Sequence, residues 1–380
     1  MKIALTGPFP PYRGGISQYM QKLNTVLRSA GHETFLYSFR RQFPRWLYPG
    51  ESDLSPGKRL LESDCSYCLD SVNPFSWWQV ARLIQSRQPD ALVIPWWVTL
   101  FAPMWGSMSR CIHKQGIPTL FICHNVLPHE RRIWDIPATR WALRYGAGFI
   151  VQSKEEKQKL AALLPGKAVE VVAHPVYDMF VGGLISKTEA RQKLGLSLDI
   201  PVLLFFGMVR PYKGLKNLLK AISLLAREIP AIKLIIAGEF WSDKTEYLQL
   251  MQDLKIEKNI LLVDRYISDQ EVPGYFSAAD VLIAPYSRIS QSGVVQMAFG
   301  LGLPVIATRV GGLPDAIDDG ATGLLVPPED PRELASAIRY YYQSGMEDRV
   351  RAEIARRDMR SGWTLLMKAL IGLIPMKKKL

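Results

Sequence analysis

VLLFFGMVRPYKGLKNLLKAISLLA, residues 202–226, joins a strand pattern directly to a helix pattern. Its first five residues are apolar throughout, which is typical of a strand buried on both faces of a parallel sheet. From Leu215 onward, apolar residues recur at the i, i+3, i+4, i+7 spacing of a single helix face. The stretch therefore predicts a β-strand followed by an amphipathic helix, the unit that repeats in α/β folds.

The same alternation continues along the chain on both sides of this stretch. The apolar runs that predict strands in the second half are Val202–Phe206, Lys233–Ala237, Ile260–Val263, Val281–Ala284, Pro304–Thr308 and Gly323–Val326. Those in the first half are Ile3–Thr6, Phe35–Tyr37, Ala91–Ile94, Thr119–Cys123, Gly148–Val151 and Val169–Val172. Each half therefore predicts a doubly wound α/β domain of the Rossmann type.

The boundary between the domains is predicted at residues 181–193, between the two alternations. This stretch begins Val181-Gly182-Gly183-Leu184 and has the composition of a hinge. We predict an N-terminal domain at 1–183, a C-terminal domain at 184–358 and a final segment at 359–380. That segment joins an apolar run to Lys377-Lys378-Lys379. Its two interpretations are a last helix that packs back on the N-terminal domain and an amphipathic segment that lies on an anionic membrane.

Ala91–Ser109 is the longest uncharged stretch, and Pro95, Pro103 and Gly106 interrupt it. A strand followed by a tryptophan-rich loop and a helix start is favoured there over a membrane-spanning helix. Of the four cysteines only Cys65 and Cys68 form a C-x-x-C pair, with no second pair to complete a zinc site. This pattern indicates no disulfide framework and favours a reducing cytoplasm.

The net charge of +12 indicates an anionic partner: nucleic acid, an anionic membrane or a phosphorylated ligand. No nucleic-acid recognition motif is present, so we expect no nucleic-acid partner. Basic and aromatic residues interleave in the first half, as at Arg45-Trp46 and Arg140-Trp141. They indicate either a face that contacts lipid head groups or solvated arginines beside core tryptophans.

Candidate ligand-binding residues follow the strands, because ligands of open α/β sheets bind at the carboxyl ends of the strands. Arg210 and Lys213 lie between the strand 202–206 and the next helix. A helix N-terminus already favours an anion, so the two cations predict a diphosphate clamp. The alternative is a pair of solvated cations in an ordinary turn.

Two glycine-bearing turns also precede helices. Ser292-Gly293 suits a helix N-cap whose amides approach a phosphate, or a plain cap. Gly14-Gly15 allows close approach of a phosphate or sugar, or forms a tight turn that needs positive φ. The latter segment is not a G-x-G-x-x-G fingerprint, which argues against a dehydrogenase.

Taken together, these motifs resemble the retaining glycosyltransferases of family 4, the group 1 glycosyltransferases of GT-B fold. The resemblance rests on Gly14-Gly15, residues 210–214, Ala237-Gly238-Glu239, Ala279-Asp280, residues 302–308 and residues 311–315. It implies an α/β protein with two facing Rossmann-like domains and an interdomain cleft. The N-terminal domain would bind the acceptor, and the C-terminal domain would bind a nucleotide-diphospho-sugar donor.

The resemblance also implies roles for single residues. The donor diphosphate would contact Arg210, Lys213, Ser292, Gly293, Gly14 and Gly15, while the nucleoside or sugar would contact Gly207, Glu239, Tyr266, Ile267 and Gln291. His124 is the candidate catalytic residue, with His129 a weaker candidate. The alternative for His124 is a core or capping histidine.

The sequence departs from the family where members often carry Glu-x7-Glu. Ile289 and Met297 stand at those positions, and neither can bind a hydroxyl as a carboxylate does. Gln291 is the candidate substitute.

The predicted function is therefore that of a hexosyltransferase-like, retaining glycosyltransferase that needs no metal or cofactor. It would transfer a sugar to a glycan or lipid-linked acceptor in cell-surface polysaccharide or glycolipid synthesis. We expect it in the cytoplasm, peripheral on the inner face of the membrane. The alternatives are a nucleotide-sugar isomerase of the same fold and a non-catalytic family member.

Overall fold

The computed structural model describes residues 1–44, 46–48, 50–55, 64–128, 132–357 and 361–375. Contacts divide the chain into two compact units. Unit 1 comprises Met1–Ala173 with Ser361–Leu380, and unit 2 comprises His174–Arg360. The first division thus falls ahead of the predicted boundary after residue 183, because the segment from His174 packs on unit 2.

Within its described residues, unit 1 contains a seven-stranded parallel sheet in the order β3-β2-β1-β4-β5-β6-β7. The strands are β1 Lys2–Thr6, β2 Glu33–Arg41, β3 Cys65–Asp70, β4 Ala91–Trp96, β5 Thr119–Cys123, β6 Gly148–Val151 and β7 Ala168–Val171. The helices are α1 Gly15–Ser29, α2 Pro74–Ser86, α3 Ala102–His113, α4 Asp135–Leu143 and α5 Lys154–Leu163, joined by α14 Ser361–Gly372 from the end of the chain.

Unit 2 contains a six-stranded parallel sheet in the order β10-β9-β8-β11-β12-β13, counted over the residues described there. Its strands are β8 Val202–Phe206, β9 Lys233–Ala237, β10 Ile260–Val263, β11 Val281–Ala284, β12 Val305–Thr308 and β13 Gly323–Val326. Its helices are α6 Lys187–Lys193, α7 Leu215–Glu228, α8 Thr245–Asp253, α9 Val272–Ala278, α10 Gly293–Gly300, α11 Leu313–Ala316, α12 Pro331–Gln343 and α13 Glu347–Arg356.

Two parallel α/β units confirm the predicted fold class. Every run predicted as a strand overlaps an observed strand, and the end residues differ by a few positions. β3 was not predicted, because Cys65–Asp70 is an edge strand with mostly half-exposed positions and lacks a continuous apolar run.

The uncharged stretch Ala91–Ser109 is divided in the structure. It forms β4, a 3-10 helix at Thr99–Phe101 and the first turns of α3. The predicted strand and helix start are therefore confirmed. Among the described residues, no helix has both the length and the apolar character needed to cross a bilayer.

The helix α14 packs against α1 within unit 1. Trp363 is 3% exposed, and its ring centroid lies 5.0 Å from that of Tyr19. The chain thus returns to its first unit after completing the second. Lys377-Lys378-Lys379 lies outside the described residues.

Candidate donor-binding site

The carboxyl ends of four neighbouring strands carry the predicted donor-binding residues of unit 2. In the order β10-β9-β8-β11, these ends are followed by Tyr266-Ile267, Glu239, the 207–214 turn and the 285–292 loop. Because parallel strands end at the same edge of a sheet, the fold places the four segments side by side. The structure therefore brings together residues that lie far apart in the chain, such as Gly207 and Gly293, which are 86 positions apart.

The turn after β8 presents both predicted cations. Gly207 has a φ of +91°, Pro211–Lys213 forms a 3-10 turn, and α7 begins at Leu215. The Lys213 side chain is buried, and its Nζ lies 3.2 Å from where a Cβ on Gly207 would be. Lys213 is thus not a solvated surface cation, which favours the clamp over the ordinary turn.

Burial and the nearby Arg210 guanidinium together lower the pKa of Lys213 to about 8. Both effects disfavour the ammonium form. An anion beside Nζ would reverse them, because opposite charge stabilises the protonated amine.

Arg210 is half-exposed and lies among aromatic rings. Its guanidinium carbon is 5.4 Å from the ring centroid of Tyr212 and 6.0 Å from that of Trp241. Such cation–π contacts orient the planar fork.

The loop after β11 is attached to the turn after β8. Ser287 donates its backbone N–H to the Tyr212 carbonyl at 2.8 Å. Gly214, with a φ of +71°, approaches so closely that a Cβ there would lie 1.8 Å from the Pro285 carbonyl oxygen. These contacts attach the loop that leads to α10 to the turn that leads to α7.

Ser292 is the N-cap of α10 and accepts a hydrogen bond from the Val295 amide at 3.3 Å. Its hydroxyl also lies 3.3 Å from the Tyr286 hydroxyl. A Cβ on Gly293 would lie 3.2 Å from the Tyr177 ring and 4.0 Å from Nε2 of His174. The N-terminus of α10 is therefore closely lined, and a larger residue at position 293 would press on the Tyr177 ring.

Glu239 is buried and held by Trp241, whose indole Nε1–H donates to Oε2 of the carboxylate at 3.0 Å. The two loops are also paired through backbone, since Val209 N–H donates to the Glu239 carbonyl at 2.9 Å and Trp241 N–H to the Val209 carbonyl at 3.0 Å. Sequence reasoning missed Trp241. The available signal was its position, because Trp241 lies two residues after the predicted contact Glu239 and carries an N–H that can donate to a carboxylate.

Tyr266 and Ile267 follow β10, where Ile267 is buried and the Tyr266 carbonyl accepts from Arg265 at 3.2 Å. The Gln291 amide packs on the turn after β12, with its nitrogen 1.9 Å from where a Cβ on Gly312 would be. Met297 is buried in α10, and Ile289 is half-exposed beside Gly311. The departure from the Glu-x7-Glu pattern is thus accommodated by packing.

Unit 1 contains the remaining candidates. Gly14, with a φ of +101°, is the N-cap of α1, and Gly15 is the first residue of that helix. A Cβ on Gly14 would meet no atom within 4 Å. The backbone conformation accounts for Gly14 as a turn residue, and the turn leaves space above it.

His124 follows β5 and is held on several sides. Its backbone N–H donates to the Trp96 carbonyl at 2.8 Å, Nδ1 lies 3.2 Å from Nε2 of Gln152, and its ring packs edge-on against Tyr19 at 4.6 Å. Because the amide nitrogen of Gln152 can only donate, Nδ1 of His124 is the acceptor in this contact. A catalytic and a structural histidine would both be compatible with these contacts. His129 lies outside the described residues.

Solved structures similar to this chain have the GT-B fold. Sucrose-phosphate synthase from Thermosynechococcus elongatus matches with a TM-score of 0.73 and 20% identity, covering 98% of each chain. Anabaena HepE, solved in complex with UDP, matches with a TM-score of 0.73 and 16% identity, covering 98% of this chain and 100% of that one. At these identities the likeness shows the fold, and the predicted GT-B class is confirmed.

Sequence comparison narrows this class. The family described as "Glycosyl transferases group 1" matches residues 200–344, and "Glycosyltransferase Family 4" matches residues 13–178. D-inositol 3-phosphate glycosyltransferase from Pseudarthrobacter chlorophenolicus is 31% identical over 378 residues, 92% of this chain and 87% of that protein. The chain belongs to the family 4, group 1 glycosyltransferases. The predicted family and enzyme class are confirmed.

Other relatives match over different lengths. The D-inositol 3-phosphate glycosyltransferase of Saccharomonospora viridis is 33% identical over 199 residues, and the match spans about half of that relative, 46%. A GDP-mannose-dependent phosphatidylinositol monomannoside mannosyltransferase from Mycolicibacterium smegmatis is 27% identical over 88% of this chain and 87% of that protein.

Proposed function

We propose that this chain transfers a hexose from a nucleotide-diphospho-sugar bound by unit 2 to a glycan or lipid-linked acceptor bound by unit 1. The observation that carries the proposal is the buried Lys213, which lies with Arg210 in the turn before α7. Its Nζ and the Cγ2 of Val294, the second residue of α10, lie 3.2 Å and 3.4 Å from where a Cβ on Gly207 would be. Two cations and two helix N-termini at one sheet edge would bind the donor diphosphate, which carries one negative charge on each of its two phosphates.

The same groups would stabilise the leaving group when the bond between the sugar and the diphosphate breaks. Negative charge develops on the departing diphosphate, and preorganised cations and amide dipoles stabilise that charge. Arg210, Lys213 and the α10 N-terminus would therefore act on the leaving group, and no metal or cofactor is assigned a role. We propose retention of the anomeric configuration, with the departing phosphate guiding attack on the same face of the sugar.

The names of similar proteins support both the donor class and the acceptor class. One is a phosphatidylinositol monomannoside mannosyltransferase that uses GDP-mannose, and a solved structure of similar fold was obtained with UDP-glucose. We accordingly propose a role in cell-surface polysaccharide or glycolipid synthesis. The protein would work in the cytoplasm, peripherally on the inner face of a membrane.

Thermal shift with UDP-, GDP- and ADP-sugars tests donor binding. At least one nucleotide should raise the melting temperature, and Arg210→Ala and Lys213→Ala should each reduce that shift strongly. Lys220→Ala, which replaces an exposed lysine of α7, is the matched control. A wild-type protein that responds to no nucleotide, or variants that respond fully, would contradict the proposed site.

Release of nucleoside diphosphate then distinguishes the functions. Transfer requires release that depends on acceptor, whereas an isomerase would convert the donor with no acceptor present. A non-catalytic member would bind nucleotide and release none. This last alternative is tested because Ile289 and Met297 stand where family members often carry two glutamates.

His124→Ala tests the histidine of unit 1. We expect turnover to fall by about a hundredfold, the lower range for loss of a positioned polar catalytic group, while the nucleotide-induced thermal shift is retained. Turnover within a few fold of wild type would remove His124 from the mechanism and assign it to the core.

A further inference from the structure

Large apolar side chains are exposed at the beginnings of three helices of unit 1. They are Phe75 and Trp78 in α2, Leu100 just before α3, and Ile133, Trp134 and Ile136 around the start of α4. Phe75 is 78% exposed, Ile133 92% and Trp134 54%. We call these six residues the aromatic rim. Exposed apolar clusters of this kind mark interaction sites more often than scattered surface residues do.

The fold places these six residues along one edge of the unit. Each of the three helices follows the carboxyl end of a strand of the parallel sheet, α2 after β3, α3 after β4 and α4 after β5. The helices pack side by side, α2 on α3 and α3 on α4, and the 3-10 helix with Leu100 contacts both α3 and α4. Because parallel strands end together, the three helix starts share an edge.

The positive charge of the chain lies in the same unit. Unit 1 contains 25 lysines and arginines against 12 aspartates and glutamates, a formal charge of +13, while unit 2 contains 22 against 23, a charge of −1. Binding of an anionic donor in unit 2 therefore does not account for the basic character. A second anionic partner, contacted by unit 1, would account for it.

The rim itself combines apolar rings with arginines. The Arg82 guanidinium lies 3.7 Å from the Trp78 ring centroid, and that of Arg132 lies 5.4 Å from the ring of Trp134. In the stretches 73–79, 98–104 and 132–138, all of them described, Asp135 is the one carboxylate, and it is buried. Tryptophan with arginine and no exposed acid is the composition of surfaces that lie at a bilayer interface.

We propose that the aromatic rim inserts into the head-group region of an anionic lipid bilayer and holds unit 1 on the membrane. The inference rests on the proposed function, because a lipid-linked acceptor would be reached from such a surface. Ring and aliphatic side chains would enter the interface, and Arg82 and Arg132 would contact lipid phosphates. The partner is an anionic lipid surface because it complements both the formal charge of +13 on unit 1 and the arginines beside the rim's tryptophan rings.

Vesicle flotation tests the proposal. Wild-type protein should float with vesicles that contain about 30 mol % phosphatidylglycerol, and less with pure phosphatidylcholine, because anionic lipid attracts the arginines. A triple variant, Ile133→Ser, Trp134→Ser and Ile136→Ser, should lower the partition coefficient at least about tenfold, since each apolar group lost weakens insertion. Arg82→Gln with Arg132→Gln should reduce the preference for anionic vesicles.

A second triple variant, Leu198→Ser, Leu248→Ser and Tyr340→Ser, is the matched control, because these exposed apolar residues lie in unit 2. It should float like wild type. Both triple variants should keep the wild-type circular dichroism spectrum, and retention of the nucleotide-induced thermal shift in both would separate the rim from the donor site.

The proposal is overturned if wild-type protein does not float, if the rim variant floats like wild type, or if both triple variants lose binding equally. It is also overturned if the rim variant instead abolishes self-association, measured by sedimentation, since the rim would then be a protein interface. Failure of donor binding is read separately: a wild-type protein that floats but shows no nucleotide-induced shift would contradict the proposed function and leave the rim in place.

Discussion

Lys213 is the residue on which the proposed donor site most depends. It is a lysine in a buried position, and desolvation together with Arg210 lowers its pKa to about 8. Burying a cation without a strong partner costs free energy, and that cost is recovered when an anion arrives. The residue is thus less favourable for the empty fold than a neutral one would be, and more favourable for the complex.

The lowered pKa of Lys213 predicts a pH dependence of donor binding. A bound diphosphate raises this pKa, so binding above pH 8 takes up a proton, and affinity should fall as pH rises through about 8, by up to about tenfold per pH unit. Below that pH the lysine is already protonated, and its contribution should be constant. Isothermal titration from pH 6.5 to 9.5 measures this. Lys213→Arg should remove the decline, and a decline that persists in this variant would assign it to another group.

Trp241 is a positioning residue for Glu239 in this structure. Trp241→Phe keeps an aromatic ring near Arg210 but removes the indole N–H that donates to the carboxylate. A hydrogen bond to a charged group contributes at least about 1.5 kcal/mol. Because Glu239 is a proposed donor contact, its loss of orientation should lower donor affinity by up to about tenfold. Calorimetry with the best nucleotide-sugar measures the change. If Trp241→Phe binds normally while Trp241→Ala does not, the ring and not the hydrogen bond is what matters.

At the scale of secondary-structure elements, Asp280 joins several parts of unit 2. Its carboxylate accepts from Arg191 Nη2 at 2.8 Å and from the Val202 amide at 2.7 Å, and the Tyr342 hydroxyl donates to it at 3.1 Å. These partners come from α6, β8 and α12. The Ala279-Asp280 motif, which contributed to the family resemblance, therefore has a structural explanation.

Asp280→Asn tests that explanation. It leaves the buried guanidinium of Arg191 without its counter-charge, which costs about 3 kcal/mol or more in buried pairs. We expect a clear loss of stability in chemical denaturation, while Asp199→Asn, which alters an exposed carboxylate of the same unit, should have little effect. Equal stabilities of the two variants would show that the pair contributes nothing net.

At the scale of the whole molecule, the chain leaves unit 1, builds unit 2 and returns as α14. Trp363 anchors the return, since its buried indole packs on Tyr19 of α1. The charge is distributed in an equally uneven way, with the excess of basic residues confined to unit 1. The proposed donor site and the proposed membrane surface therefore lie in separate units.

Trp363→Ala should destabilise unit 1. Truncation of a buried tryptophan costs about 3–5 kcal/mol through lost contacts and the cavity left behind. Leu365→Ala, on the exposed face of the same helix, is the control and should be nearly neutral. Thermal denaturation followed with and without nucleotide measures both. A Trp363→Ala protein as stable as the control would mean that α14 adds little to the unit.

Local pattern alone was enough for the α7 helix and for every described strand except β3. Residues 202–226 show why, because they carry the strand pattern and the helix pattern without ambiguity. Local pattern also supplied the candidates that directly follow strands, such as Arg210 and Lys213, since ligands of open α/β sheets bind at the carboxyl ends of the strands. Their role in donor binding stays a prediction. The edge strand Cys65–Asp70 escaped, because a half-exposed strand has no continuous apolar run.

What local pattern could not decide was how distant segments meet. That Lys213 is buried, that Ser287 ties one loop to another, and that Trp241 holds Glu239 depend on strand order and loop packing, which join residues far apart in the chain. The six residues of the aromatic rim likewise come from three separate helix starts, and only the parallel sheet brings those starts to one edge. Sequence spacing determined which groups are available, and tertiary packing determined their burial, their partners and hence their chemistry.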